Sequence, residues 1–216
     1  VGYQAGYSNT TGAGNTYYGY QAGFNLTTGT QNTLLGIYAG NAITTGNYNT
    51  VVGGLAFASS SNTGTDSVAV GTSALYANTS GSYNTALGRQ ALTNNTTASN
   101  NTAVGYASLN GASGSGSGNS AFGEFALNAN TSGSYNTALG TSSAGITTSG
   151  ANNVAIGRQA MASNTSNSQN VAVGSQALYN ADTTNNIAIG YQASYTQWGG
   201  SNTAIGTQAL FGNGGT

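Results

Sequence analysis

The chain has 216 residues, of which two are cationic and three anionic, so 2% of it is charged where an ordinary domain has about 25%. Histidine and cysteine are absent and both cations are arginine, so the groups used most often in catalysis and soft-metal binding are missing. We therefore expect no enzyme and no cofactor. The net charge of -1 argues against nucleic-acid binding, and no apolar run is long enough for membrane insertion by this segment.

One short motif, Asn-Thr-x-apolar-Gly-x-x-Ala, recurs along the whole chain. Its glycine, here called the anchor glycine, returns every 16 to 18 residues. The thirteen anchors are Gly2, Gly19, Gly36, Gly53, Gly71, Gly88, Gly105, Gly123, Gly140, Gly157, Gly174, Gly190 and Gly206. The array predicts one repeat domain over residues 1–216. Because Val1 falls late in a repeat and Thr216 in a turn, we expect a segment of a longer fibre.

The residues before each anchor predict a strand with two different faces. The residue directly before the anchor is apolar in every repeat, and we expect this column to point inward, as at Val52, Val104, Ile156 and Ile205. Two residues earlier stands Thr, Val or Ile, on the same face because side chains alternate along a strand. The residue between them is mostly alanine, which predicts an opposite face open either to another chain or to a narrow interior. This alanine column includes Ala86, Ala103, Ala138, Ala155, Ala172, Ala188 and Ala204.

The rest of each repeat predicts a second inward segment and tight turns. Alanine recurs three residues after the anchor, often followed by Leu or Met, as at Ala160 and Met161. The remaining residues are Asn, Thr, Ser and Gly, which favour turns. Four-residue apolar runs rich in β-branched residues favour strands over helices. The sequence therefore predicts an all-β fold, a parallel β-solenoid of about 13 rungs of 16 to 18 residues.

The repeats resemble those of a known family. The segments Asn153-Val-Ala-Ile-Gly157 and Asn170-Val-Ala-Val-Gly174 resemble the head repeats of YadA-like trimeric autotransporter adhesins. The segment Asn202-Thr-Ala-Ile-Gly-Thr-Gln-Ala-Leu210 resembles arrays of bacterial surface proteins and phage tail fibres. The resemblance implies a left-handed β-roll, three chains around one axis, and a location outside the cell, at the cell surface or in a virion tail fibre. The repeats are longer than those of the adhesin heads, and Tyr17, Leu34 and Val51 replace the small alanine.

Two functions follow as expectations. The first is a non-enzymatic structural segment of an extracellular fibre that associates with itself, laterally or end to end, as a homotrimer or filament. The second is an adhesin or tail-fibre head that binds glycans or a host surface. Exposed tyrosines one residue after the anchor are candidates for surface binding, or form a stacked ladder with the glutamines that follow them. They are Tyr3, Tyr20, Tyr106 and Tyr191.

Seven Asn-x-Ser/Thr triplets lie six or seven residues after an anchor and are predicted to share one exposed edge. They begin at Asn9, Asn25, Asn78, Asn94, Asn95, Asn130 and Asn164. They are either glycosylation sites or corner residues of the solenoid, because asparagine suits tight turns.

Two further functions are disfavoured by the sequence. Asp66, Glu124 and Asp182 lie in different repeats at unrelated offsets, so they predict neither an acid–base pair nor a metal site. The threonine column suggests ice binding, but it shares the strand face of the apolar column and is expected to point inward.

Overall fold

The structure is a computed structural model that describes residues 1–59, 61–111, 116–181, 183–197 and 199–212. These residues form strands, turns and bends, and no helix. The strands are β1 (Thr16–Tyr18), β2 (Thr33–Leu35), β3 (Thr50–Val52), β4 (Val68–Val70), β5 (Thr85–Leu87), β6 (Thr102–Val104), β7 (Ser120–Phe122), β8 (Thr137–Leu139), β9 (Val154–Ile156), β10 (Val171–Val173), β11 (Asn180–Ala181), β12 (Ile187–Ile189), β13 (Thr196–Gln197) and β14 (Thr203–Ile205).

Twelve of these strands form one parallel sheet in chain order, from β1 to β10 and then β12 and β14. Neighbouring strands pair in register, so that Ala155 lies beside Ala172 and Ile156 beside Val173. The predicted all-β parallel β-solenoid is confirmed. The sheet has twelve strands where thirteen rungs were expected, because Gly2 follows Val1 alone and no strand precedes it.

A second wall closes each rung, that is, each repeat of 16 to 18 residues made up of one strand, its anchor glycine and the residues that follow it. There the residue four positions after the anchor donates its N–H to the carbonyl three positions after the next anchor. Examples are Leu75 to Ala91 at 3.0 Å and Met161 to Ala177 at 2.9 Å. Ala91, Met161 and Ala177 are fully buried. The predicted second inward segment is therefore confirmed.

The two faces of the strands lie opposite to the prediction. Ala103, Ala155 and Ala172 are fully buried and belong to the hydrophobic core. The apolar column before the anchors points outward: Val52, Val104 and Ile156 are half-buried and Ile205 is 68% exposed. The prediction that this column lines the interior is therefore wrong, and the alanine column lines the interior instead.

The width of the interior explains the inversion. A rung of about 17 residues contains two short walls and tight corners, so the walls lie close together. The strand contributes alanine to this space, and the corner opposite contributes a larger side chain such as Leu92 or Leu127. Close packing leaves no room for Leu or Ile from both walls. The larger side chains of the strand consequently point outward, and the alanine column is not a surface for another chain.

Asparagine side chains connect successive rungs along the start of the strands. The backbone N–H of Asn136 donates to Asn119 Oδ1 at 2.9 Å, and that of Asn153 donates to Asn136 Oδ1 at 3.0 Å. The amide nitrogen of Asn119 in turn donates to the carbonyl of Gly133 at 2.9 Å. These side chains are fully or almost fully buried. They satisfy backbone groups that the corner leaves without a strand partner.

Candidate functional site

The most extensive candidate site is the outward surface of the twelve-stranded sheet, here called the outer face. It consists of the outward side chains of β1 to β10, β12 and β14. Its apolar column includes Leu35, Leu87, Phe122, Leu139 and Ile189, which are 39% to 49% exposed. Its second column contains Thr at most strands and Val, Ile or Ser at the others. Neither column contains a charged residue.

The orientation of the outer face corrects the argument against ice binding. That argument placed the threonines inside, whereas Thr33, Thr50 and Thr137 are exposed. The side chains of the neighbouring apolar column differ in size, from Val104 to Phe122. They therefore project to different distances from the sheet and do not form a flat, regular array with the threonines. The outer face therefore offers an apolar contact surface and no uniform hydroxyl array.

The four tyrosines after the anchors are exposed, as expected. Tyr3, Tyr20, Tyr106 and Tyr191 are 65%, 42%, 38% and 48% exposed. The rings of Tyr3 and Tyr20 stack at 5.5 Å, and the Arg89 guanidinium lies over the Tyr106 ring at 5.6 Å. Contacts between adjacent rungs thus account for part of this column, and surface binding stays a prediction.

The glutamines of the next column form the expected ladder. Gln176 Nε2 donates to Gln159 Oε1 at 3.1 Å, and Gln192 Nε2 donates to Gln176 Oε1 at 2.9 Å. Gln208 continues the series to Gln192. Their backbones are left-handed, with φ from 51° to 58°. The ladder therefore supports a backbone conformation that is unfavourable for non-glycine residues.

The triplets Asn-x-Ser/Thr do not share an exposed edge, so that prediction is wrong. The asparagines of five triplets point into the corner, and four of these are fully buried, namely Asn78, Asn95, Asn130 and Asn164. The fifth, Asn9, is half-buried in the first rung. The asparagines of the other two triplets, Asn25 and Asn94, are exposed.

Hydrogen bonds across the corner explain the buried asparagines. Asn130 Nδ2 donates to the carbonyl of Gly133 at 2.9 Å, and the N–H of Gly133 donates to Asn130 Oδ1 at 3.0 Å. The side chain thereby replaces a backbone partner in a tight turn. Such an asparagine is inaccessible to a glycan in the folded chain, so of these seven Asn25 and Asn94 stay candidate glycosylation sites.

The two acidic residues that the structure describes, Asp66 and Glu124, lie in different rungs and do not form a cluster. Asp66 is exposed and accepts a hydrogen bond from Thr65 Oγ1 at 2.8 Å, and Glu124 is exposed four anchors further along. Asp182 lies outside the described residues. Within the described ranges, no group of three or more potential metal-binding side chains occurs.

Sequence reasoning missed a trough on the side of the solenoid that follows the anchors. It has a volume of about 350 Å³. It is lined by Phe125, Asn128, Ser142, Gly145, Ile146, Ala162, Ser163 and Tyr179. The trough forms in the column five residues after the anchor. Two successive rungs have a small residue there, Gly145 and Ala162, whereas the next rung has Tyr179. Aligning that column against the anchors would have revealed the gap.

Comparison with known proteins finds no protein-family model, no curated protein and no solved structure that matches the chain. In the part of the chain that the structure describes, no helix has the length and apolar character needed to cross a bilayer.

Proposed function

We propose that the chain is a non-enzymatic structural segment of an extracellular fibre, in which copies of the chain associate laterally through their outer faces. The observation that carries this proposal is the exposed apolar column on one uninterrupted in-register sheet. An exposed apolar surface of this extent is typical of an interaction site.

The dimensions of the outer face fit association with a second copy. Twelve strands at about 4.8 Å and three residues at about 3.3 Å make a surface of about 50 Å by about 10 Å. This flat area of about 500 Å² is somewhat smaller than the roughly 800 Å² that each partner contributes to a standard interface, and it lies in the range of the smaller specific interfaces. Because the outer face has no charged side chain, two copies can meet without burying an unpaired charge.

A fibre is also supported by the way rungs are joined. Backbone bonds, the asparagine ladder and the glutamine ladder all run from rung to rung, parallel to the long axis. Stability of such an array grows with the number of repeats. The resemblance to trimeric adhesin heads and tail fibres supports three copies around one axis and a position outside the cell, at its surface or on a virion.

Sedimentation of the purified chain tests the proposal. We expect oligomers, with three copies as the favoured number, and dissociation to monomers when Leu87 and Leu139 are both replaced by lysine. The matched control is Ile146→Lys, because Ile146 is 45% exposed and lies away from the outer face. A wild-type chain that stays monomeric at high concentration, or a double variant that still associates, would overturn the proposal.

A further inference from the structure

We infer that the trough between Phe125 and Tyr179 is a binding site for a neutral saccharide of one to three sugar rings. The inference goes beyond the proposed structural function, because the trough lies on residues two to six positions after the anchors, away from the outer face. Its volume of about 350 Å³ lies within the range of about 300–1,000 Å³ typical of small-ligand sites.

An aromatic ring bounds the trough at one end and leaves one face free. Tyr179 stacks on Tyr195 at 5.0 Å with an interplanar angle of 7°, and Tyr195 packs on Phe211 at 5.3 Å. This stack of rings ends at Tyr179, because the preceding rung has Ala162 in the same column. One ring face therefore contacts Tyr195 and the other borders the trough.

A second aromatic ring bounds the opposite end. Phe125 contacts Tyr106 edge to face at 5.2 Å, on the side away from the trough. Phe125 and Tyr179 belong to rungs three apart, about 14 Å along the axis at a strand spacing of about 4.8 Å. The space between the two rings has room for sugar rings stacked against either one.

The polar groups of the trough are free to bind a ligand. In the described part of the chain, no partner pairs with the carboxamide of Asn128 or with the hydroxyls of Ser142 and Ser163. The buried asparagines of the same solenoid are almost all hydrogen-bonded within the chain. Asn128 offers two donors and an acceptor, and each serine offers one donor and acceptor.

These features together select a saccharide. Sugar rings have an apolar face that stacks on aromatic rings and an edge of hydroxyls that pair with amides and hydroxyls. The lining contains no charged residue, so the ligand is expected to be uncharged. A proline-rich peptide also docks on aromatic grooves, but proline has no N–H, so its backbone offers acceptors only and would leave the Asn128 carboxamide oxygen unpaired.

Saturation-transfer NMR on the full chain tests the inference with maltotriose, cellotriose and triacetylchitotriose as probes. We expect millimolar binding of at least one of them. Tyr179→Ala should weaken that binding by about tenfold, because it removes the stacking surface. Ala162→Trp should abolish binding by filling the trough, and it serves as a second variant if Tyr179→Ala fails to fold.

The control is Tyr83→Ala, because Tyr83 is 60% exposed and lies outside the trough. It should leave binding unchanged, and all variants should keep the oligomeric state of the wild type. Absence of binding for all three saccharides, persistence of binding in Ala162→Trp, or binding of hexaproline alone would each overturn the inference. Sedimentation of the same samples separates this outcome from a failure of the fibre proposal.

Discussion

Leu34 occupies the space that a side chain at Gly40 would need, because a Cβ atom at Gly40 would lie 2.7 Å from Leu34 Cδ2. In the rung of Gly88 the sizes are reversed: Ala86 stands on the strand, Leu92 stands in the corner, and both are fully buried. Strand and corner thus share one interior volume, which either of them can fill.

Exchanging the two sizes in one rung tests this relationship. Leu34→Ala should destabilise the chain by about 2–5 kcal/mol through the cavity it leaves. Gly40→Leu should cost about 1–3 kcal/mol through overpacking. The double variant should recover most of both losses. The backbone at Gly40 has a φ of 57°, which a leucine can adopt, since Leu92 has a φ of 51° at the equivalent position. Urea unfolding of the three variants measures the coupling.

The control for that experiment places the two substitutions in rungs that are far apart. Gly40→Leu combined with Leu92→Ala changes the same residue types in separate rungs, so the two effects should add. A Leu34/Gly40 double variant that is also merely additive would show that the two side chains do not share a volume.

Asn119 provides a test of the asparagine ladder. Asn119→Ala leaves the N–H of Asn136 without its partner, at a cost of about 1–3 kcal/mol. It also removes one of the two donors to the carbonyl of Gly133, which keeps its hydrogen bond from Asn130 Nδ2. Asn119→Ser should cost less, because Ser67 takes the same place in its rung and its Oγ accepts from the N–H of Asn84 at 3.1 Å. Thermal unfolding measures both.

The matched control for the ladder is Asn94→Ala, because the Asn94 side chain is exposed and donates to the carbonyl of Asn110. Its loss should change stability by less than that of Asn119. Equal effects of the two alanine variants would contradict a special contribution of the buried ladder.

The anchor glycines are required for two separable reasons. At Gly105 the φ is 129°, and a Cβ atom would lie 2.7 Å from the backbone of Gly123. At Gly206 the φ is 124°, but nothing lies within 4 Å of such a Cβ. Gly105→Ala should therefore lower the melting temperature much further than Gly206→Ala, in which backbone strain alone contributes. Similar shifts would show that the contact with the next rung is unimportant.

Alkaline unfolding should involve Tyr17. Burial raises the pKa of the Tyr17 hydroxyl above its ordinary value of about 10, although hydrogen bonds with Asn9 and Asn15 act in the opposite direction. The unfolded chain then loses this proton at a lower pH than the folded chain, so its contribution to stability is complete below pH 10 and is lost as the pH rises through the folded pKa.

Tyr17→Phe removes that titration. The free energy of unfolding, measured by urea between pH 8 and 11, should decline less steeply for the variant than for the wild type. Parallel declines would mean that Tyr17 titrates alike in the folded and unfolded chain.

Much of the fold was predictable from particular residues. The anchor glycines located the strand ends because a recurrent left-handed backbone and a close contact between rungs leave room for glycine alone. Ala160 and Met161 predicted the second inward segment. The trough was not predictable in the same way, because it depends on a gap in an aromatic column that includes Tyr179 and on the distance between rungs.

The sequence alone determined the period, the parallel stacking and the alternation of two strand faces, since each follows from the spacing of residues along one chain. Only the tertiary structure decided which face lies inside. Alternation distinguishes Ala155 from Ile156 but carries no information on the distance to the opposite wall. That distance is set by the corners, and in so narrow an interior the alanine points inward and the isoleucine outward.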